Sequence, residues 1–144
     1  MSRNGVNFRW PDVSPGVADN AIASGQSISL TGTGRTLGFL ATGTYGAVSG
    51  TAAAIYADGT RQTFTLSTPD WYGGPHAGGT AATAAIVAYQ NRPGNQRVTT
   101  PACVYYVGVA LRNKQVVRVE LPNISARPAS GLPTMHIFAI AIGA

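Results

Sequence analysis

Three residues in a row, Asp70-Trp71-Tyr72, stand in a stretch from Thr68 to Gly79 that is too rich in Gly and Pro for a regular element. The stretch is therefore a loop bearing two large rings. A flat ring on a loop can stack against the C–H face of a pyranose, while planar amides and charges collect the hydroxyls at its edge. Tyr45, set between Gly43 and Gly46, offers a third ring, and Asn91-Arg92 offers fork-like hydrogen-bonding groups. The candidate ligand-binding set is thus Tyr45, Asp70, Trp71, Tyr72, Asn91 and Arg92. Ordinary structural roles compete with it. Trp71 can plug the end of an apolar core, the favoured reading for that ring, and Asp70 can pin a turn through backbone hydrogen bonds. Trp10 beside Pro11 reads as packing, and His136, flanked by apolar residues, reads as a hydrogen-bonded core histidine.

Other chemistries find less material. The carboxylates are Asp12, Asp19, Asp58, Asp70 and Glu120. Asp58 fits a hairpin loop, Glu120 alternates outward on a strand, and Asp12 suits a turn. An acid/base enzyme would need Asp19, Asp70 or His76 to converge in a cleft, so no catalytic residues are assigned. His76 and His136 share no short ligand spacing, and a single cysteine makes a tight zinc site improbable. No cofactor is expected, calcium being the one cation with suitable oxygens, at Asp19, Asn20 and Asp70. There is no Gly-x-Ser-x-Gly elbow, and Gly32, Gly34 and Gly38 lack the helix and lysine of a phosphate loop. Cys103 lies in the apolar run before Val104-Tyr105-Tyr106-Val107, where a buried thiol is expected.

The elements that must position these groups are short strands. With 144 residues, 44% of them hydrophobic, the chain suits one domain with a real core. Only 10% are charged, so the polar surface must come from Thr, Ser, Asn, Gln and backbone. The net charge of +5 comes from nine arginines and Lys114 that form no run or stripe, which argues against nucleic acid as a partner. No apolar stretch is long enough for a membrane helix, and the first residues lack the apolar centre of a signal peptide.

Eighteen Gly and nine Pro leave few windows for a helix. The segments 26–30 and 36–40 alternate with period two. Asp58-Gly59 predicts a two-residue type I′ hairpin that pairs Ile55 with Gln62 and Ala53 with Phe64, placing Ala53, Ile55, Phe64 and Leu66 inward and Tyr56 outward. Segment 80–89 is Ala-rich but bounded by turns, and strand is favoured over helix. Further strands are expected over 97–99, 103–111 and 116–121, the last with Val117, Val119 and Leu121 inward. The run 135–142 is nearly all apolar and should lie centrally in a sheet, paired with non-local partners. Residues 12–16 read as a turn and 123–133 as a linker. Eight or nine strands so spaced suggest an all-β, two-sheet sandwich of jelly-roll type.

Several pieces in this order carry a resemblance across nearly the whole chain: Ala18-Asp19-Asn20 with Ser24-Gly25-Gln26, Leu37-Gly38-Phe39-Leu40, Tyr56-Ala57-Asp58-Gly59-Thr60, Asp70-Trp71, Tyr89-Gln90-Asn91-Arg92, Val116-Val117-Arg118-Val119, and Met135 to Ala141. The chain resembles a β-sandwich accessory domain, similar to carbohydrate-binding modules, found beside catalytic domains in secreted actinobacterial glycoside hydrolases. The resemblance implies a noncatalytic, extracellular module with a glycan or a neighbouring hydrolase domain as its partner. The competing reading is a structural collar or self-assembling sandwich, since low charge and the apolar segment 139–144 are compatible with subunit packing in a homo-oligomer.

Overall fold

A computed structural model describes residues 1–14, 17–92, 94 and 96–144. The elements in chain order are β1 (Ser2–Arg3), β2 (Val6–Asn7), β3 (Ala21–Ile22), β4 (Ser27–Gly32), β5 (Thr36–Thr44), β6 (Val48–Tyr56), β7 (Arg61–Thr68), β8 (Ala82–Val87), β9 (Gln90–Arg92), β10 (Gln96–Val98), β11 (Ala102–Ala110), β12 (Val116–Glu120) and β13 (Thr134–Gly143). No helix occurs among the described residues, and segment 82–87 is a strand. Part of the turn expected over 12–16 falls on Pro15 and Gly16, outside the described residues.

Two antiparallel sheets hold the fold, one ordered β3-β13-β5-β11-β8 and the other β4-β12-β6-β7. The pairs β3 with β13, β4 with β12, β5 with β11 and β6 with β7 are nested like the rungs of one long hairpin. Rolling that hairpin sends alternate rungs to opposite layers, which is the jelly-roll arrangement. β8 is added at the β11 edge of the larger sheet. The run 135–142 lies inside that sheet between β3 and β5, both remote in sequence, as its apolar character requires.

Between the layers lie Leu37, Phe39, Tyr56, Leu66, Val107, Val116, Val119 and Met135, all at most 1% exposed. A second apolar cluster covers the outer face of the larger sheet. There the β1–β2 ribbon and the residues after it lay Val6 and Phe8 on Leu40, Ala84 and Tyr106. Trp10 stacks on Phe138 with centroids 5.3 Å apart, so this ring packs as expected. β13 is therefore covered on both sides, and most of segment 139–144 is used within the fold: Ile140 and Ile142 pack on the inner cluster, Ala139 and Ala141 on the outer one.

Two registers differ from the sequence expectation. At Asp58-Gly59 the strands pair Ile55 with Arg61, Ala54 with Gln62 and Ala52 with Phe64, one residue away from the type I′ register. The loop has three residues. Gly59 alone takes a positive φ, 80°, and its N–H donates to the Tyr56 carbonyl, a turn followed by a left-handed residue. A one-residue shift exchanges the faces of β6, so Ala52, Ala54 and Tyr56 point into the core. The Tyr56 hydroxyl donates to Gln62 and accepts from the Arg112 amide at 3.0 Å, which makes its burial affordable. In β12 a bulge between Val116 and Arg118 turns Val116 inward in place of Val117. The segment 112–115 crosses between sheets rather than closing a hairpin, because β11 and β12 belong to different layers.

Candidate functional site

At one end of the sandwich β5 and β11 part company. They pair from Thr36–Ala110 as far as Ala41–Tyr105, and beyond that point residues 69–73 thread between them. The Gly43 amide donates to Pro69 O at 2.9 Å and the Trp71 amide to Gly43 O at 2.9 Å. On the other side the Cys103 amide donates to Trp71 O at 2.8 Å and the Gly73 amide to Pro101 O at 3.0 Å. The aromatic loop is thus backbone-bonded on both flanks, like a strand within a sheet. Gly43 makes the approach feasible, since a Cβ there would lie 2.7 Å from Gly46 O and 3.0 Å from Pro69 O. Beneath the loop sits Tyr105, fully buried, donating to Asp70 O at 2.9 Å and accepting from the His76 amide at 3.0 Å. Burial pushes its phenol pKa upward, so it stays a neutral donor.

The insertion opens a groove of about 970 Å³. All the candidates of the sequence reading, Tyr45, Asp70, Trp71, Tyr72, Asn91 and Arg92, line it. Trp71 is half-buried, stands edge-on to Tyr72 at 6.2 Å, and is a member of neither apolar cluster. Tyr72 and Tyr45 are 48% and 56% exposed, as a surface for stacking requires. Tyr45 has φ of 58°, a left-handed backbone that a bulky side chain adopts only under constraint.

Asp70 supplies that constraint. One carboxylate oxygen accepts the Gly46 amide at 2.5 Å and the other accepts the Tyr72 amide at 2.8 Å. A single side chain therefore sets the turn under Tyr45 and the turn under Tyr72. The sequence offered Asp70 both as a ligand contact and as a turn pin, and the hydrogen bonds place it as the pin.

Another part of the lining, Gln90, Asn91 and Arg92, comes from β9 of the β9–β10 ribbon. Gln90, 7% exposed, anchors it by donating to Thr100 O at 3.1 Å. Asn91 and Arg92 are exposed beside it, while Arg97 lies over the Tyr89 ring at 3.7 Å. Of the turn expected over 91–94, Asn91 and Arg92 lie instead in β9, and Pro93 falls outside the described residues.

Sequence reasoning missed several contributors. Pro128, Ala129 and Ser130 form part of the rim from a segment read only as a linker. Thr44 and His136 close the floor. Asn20 donates to Asp19 at 2.8 Å, so its oxygen is left to accept from His136 Nδ1 at 2.8 Å, and Nε2 faces Thr44 Oγ1 at 3.3 Å. Burial lowers the His136 pKa, against a weaker opposing pull from Asp19, so the ring is neutral at pH 7. The hydrogen-bonded histidine expected from sequence is observed, though half-buried and at the groove. A polar residue within the apolar run 135–142 was the available signal.

Asp19 lines a different, lateral cleft with Ile28 and Leu121, and His76 is bonded to the Tyr72 carbonyl at 2.7 Å. Asp19 and Asp70 thus face separate openings. Among the described residues no group of three or more His, Cys, Asp and Glu is placed to hold a metal ion. Cys103 is 1% exposed and burial raises its thiol pKa, which keeps it protonated. No family model and no curated protein matches this chain.

Proposed function

We propose that this protein is a noncatalytic carbohydrate-binding module whose ligand lies in the groove between the aromatic loop and the β9–β10 ribbon. The observation that carries the reading is the convergence of Tyr45, Trp71 and Tyr72, from two separate loops, on a groove that Asn91 and Arg92 also line. Rings offer apolar faces to the C–H side of a sugar, and the ribbon offers forked polar groups to its hydroxyls. Because the backbone of the aromatic loop is bonded on both flanks, little ordering entropy is lost on binding. An extracellular setting beside a glycoside hydrolase domain accords with the family resemblance of the sequence.

Calorimetry and a glycan array with wild type, Tyr45→Ala, Tyr72→Ala and Trp71→Ala test the proposal. The two tyrosine variants remove exposed rings and should leave melting unchanged, while each weakens binding by about 3- to 10-fold. Absence of binding across plant, fungal and animal glycans, or affinity indifferent to all three substitutions, would refute it.

A second reading, self-assembly, draws on β8. This edge strand exposes Ile86 and Val87 at 56% and 49%. Light scattering across a concentration series distinguishes it: a constant monomer mass removes this reading and leaves the first untouched.

A further inference from the structure

The character of the polar wall narrows the ligand class, given the carbohydrate reading above. All three residues of β9, Gln90, Asn91 and Arg92, line the groove, Gln90 buried and the other two exposed. Among the described residues the ion pairs are Arg61–Glu120, Lys114–Asp58 and Arg118–Glu120, and Arg92 takes part in none of them. Those pairs occupy Glu120 and Asp58 away from the groove.

Among the described residues that line the groove, one is a carboxylate, Asp70. Asp70 receives backbone N–H groups on both oxygens, at 2.5 and 2.8 Å, so amide dipoles offset its charge. The remaining titratable group on the floor, His136, carries no negative charge in any state. Arg127 adjoins the rim residue Pro128, and Arg97 stands across the ribbon from Asn91. Asp19, the other nearby acid, is held behind the His136–Asn20 contact and lines the lateral cleft. The groove therefore presents a forked cation beside stacking rings, with its own acid turned to the backbone.

We infer that the groove selects an anionic sugar, in which a carboxylate or sulfate ester meets the Arg92 guanidinium while the ring stacks on Tyr45, Trp71 or Tyr72. A guanidinium fork suits two oxygens of such a group, whereas a neutral hydroxyl offers one.

The test compares a galacturonic acid oligomer, a sulfated galactan oligomer and an uncharged galactan oligomer of equal length, by calorimetry at low and at high salt. At low salt at least one acidic oligomer should bind about tenfold tighter than the neutral one. The preference should shrink as salt rises, disappear in Arg92→Gln and survive in part in Arg92→Lys. Which acidic oligomer wins identifies carboxylate or sulfate as the recognised group. Equal binding of all three, or a preference that persists in Arg92→Gln, overturns the inference while leaving carbohydrate binding intact. No binding of these oligomers or of any sugar on the array overturns both.

Discussion

Replacing Asp70 with Asn tests whether one side chain holds the two aromatic turns. Asparagine is nearly the same size, but it has one acceptor oxygen and one NH2 group. It can accept from the Gly46 amide or from the Tyr72 amide, and it then turns a donor toward the other. Hydrogen bonds to charged groups contribute about 1.5–3 kcal/mol, and the low end applies because Asp70 is only half-buried. The expected loss is thus about 1.5 kcal/mol, or roughly 3–6 °C in melting temperature at this chain length. The bond to Gly46 also opposes the cost of left-handed Tyr45, about 1–2 kcal/mol for a residue with a Cβ. Tyr45→Gly should therefore stabilise the wild type by about 1 kcal/mol, and should do less in Asp70→Asn, where the turn has already relaxed. Thermal melts of the two single variants and the double variant close the cycle. Additive effects, or an Asp70→Asn protein that melts with the wild type, would show that the carboxylate does not set these turns.

The outer cluster and the half-buried imidazole each yield a further expectation. A Cβ on Gly38 would lie 2.7 Å from Phe8 Cζ and 2.9 Å from Val6 Cγ1, so Gly38→Ala should lift the N-terminal ribbon from the sheet and cost about 1–3 kcal/mol. Unchanged melting and unchanged amide-exchange protection at Val6 and Phe8 would contradict that packing. For His136 the folded pKa lies below its ordinary value of 6.5, so the unfolded chain takes up the proton first. Stability from this group is complete above pH 6.5 and falls as pH drops through the folded pKa. Melting temperature should therefore decline as pH falls below about 6.5, and His136→Gln should flatten the slope. A profile that is flat in the wild type, or equally steep in the variant, argues against this coupling.

What the amino-acid order discloses, and what it conceals, follows the range of the forces involved. Alternation in 26–30 and 36–40 and the apolar run 135–142 are local signals, and they place strands and the sandwich correctly. The hairpin register was not local in the same sense. Asp58-Gly59 serves a two-residue or a three-residue loop, and the register observed is the one that buries Tyr56 with hydroxyl partners on Gln62 and Arg112, which lie outside the dipeptide. The bulge in β12 is likewise set by two neighbouring strands at once, β4 and β6. As for the groove, residue chemistry pointed to its rings and to Asn91-Arg92, but not to their meeting. That depends on β5 and β11 separating to admit 69–73 and on Gln90 reaching Thr100. The rim at 128–130 was invisible because its Pro, Ala and Ser announce no chemistry.

The nested pairing has a consequence for how this protein is made. Among the described strands β3 pairs with β13 alone, and β4 pairs with β12, so the earliest strands of the roll wait for the latest. During translation the edge of β4 stays open until 116–120 have emerged and that of β3 until 136–137 have, and closing such distant partners is slow. Over that interval Ile28 and Leu30 lack their sandwich partners. Low synthesis temperature or a holding chaperone should therefore raise the soluble yield more than any change to the finished surface.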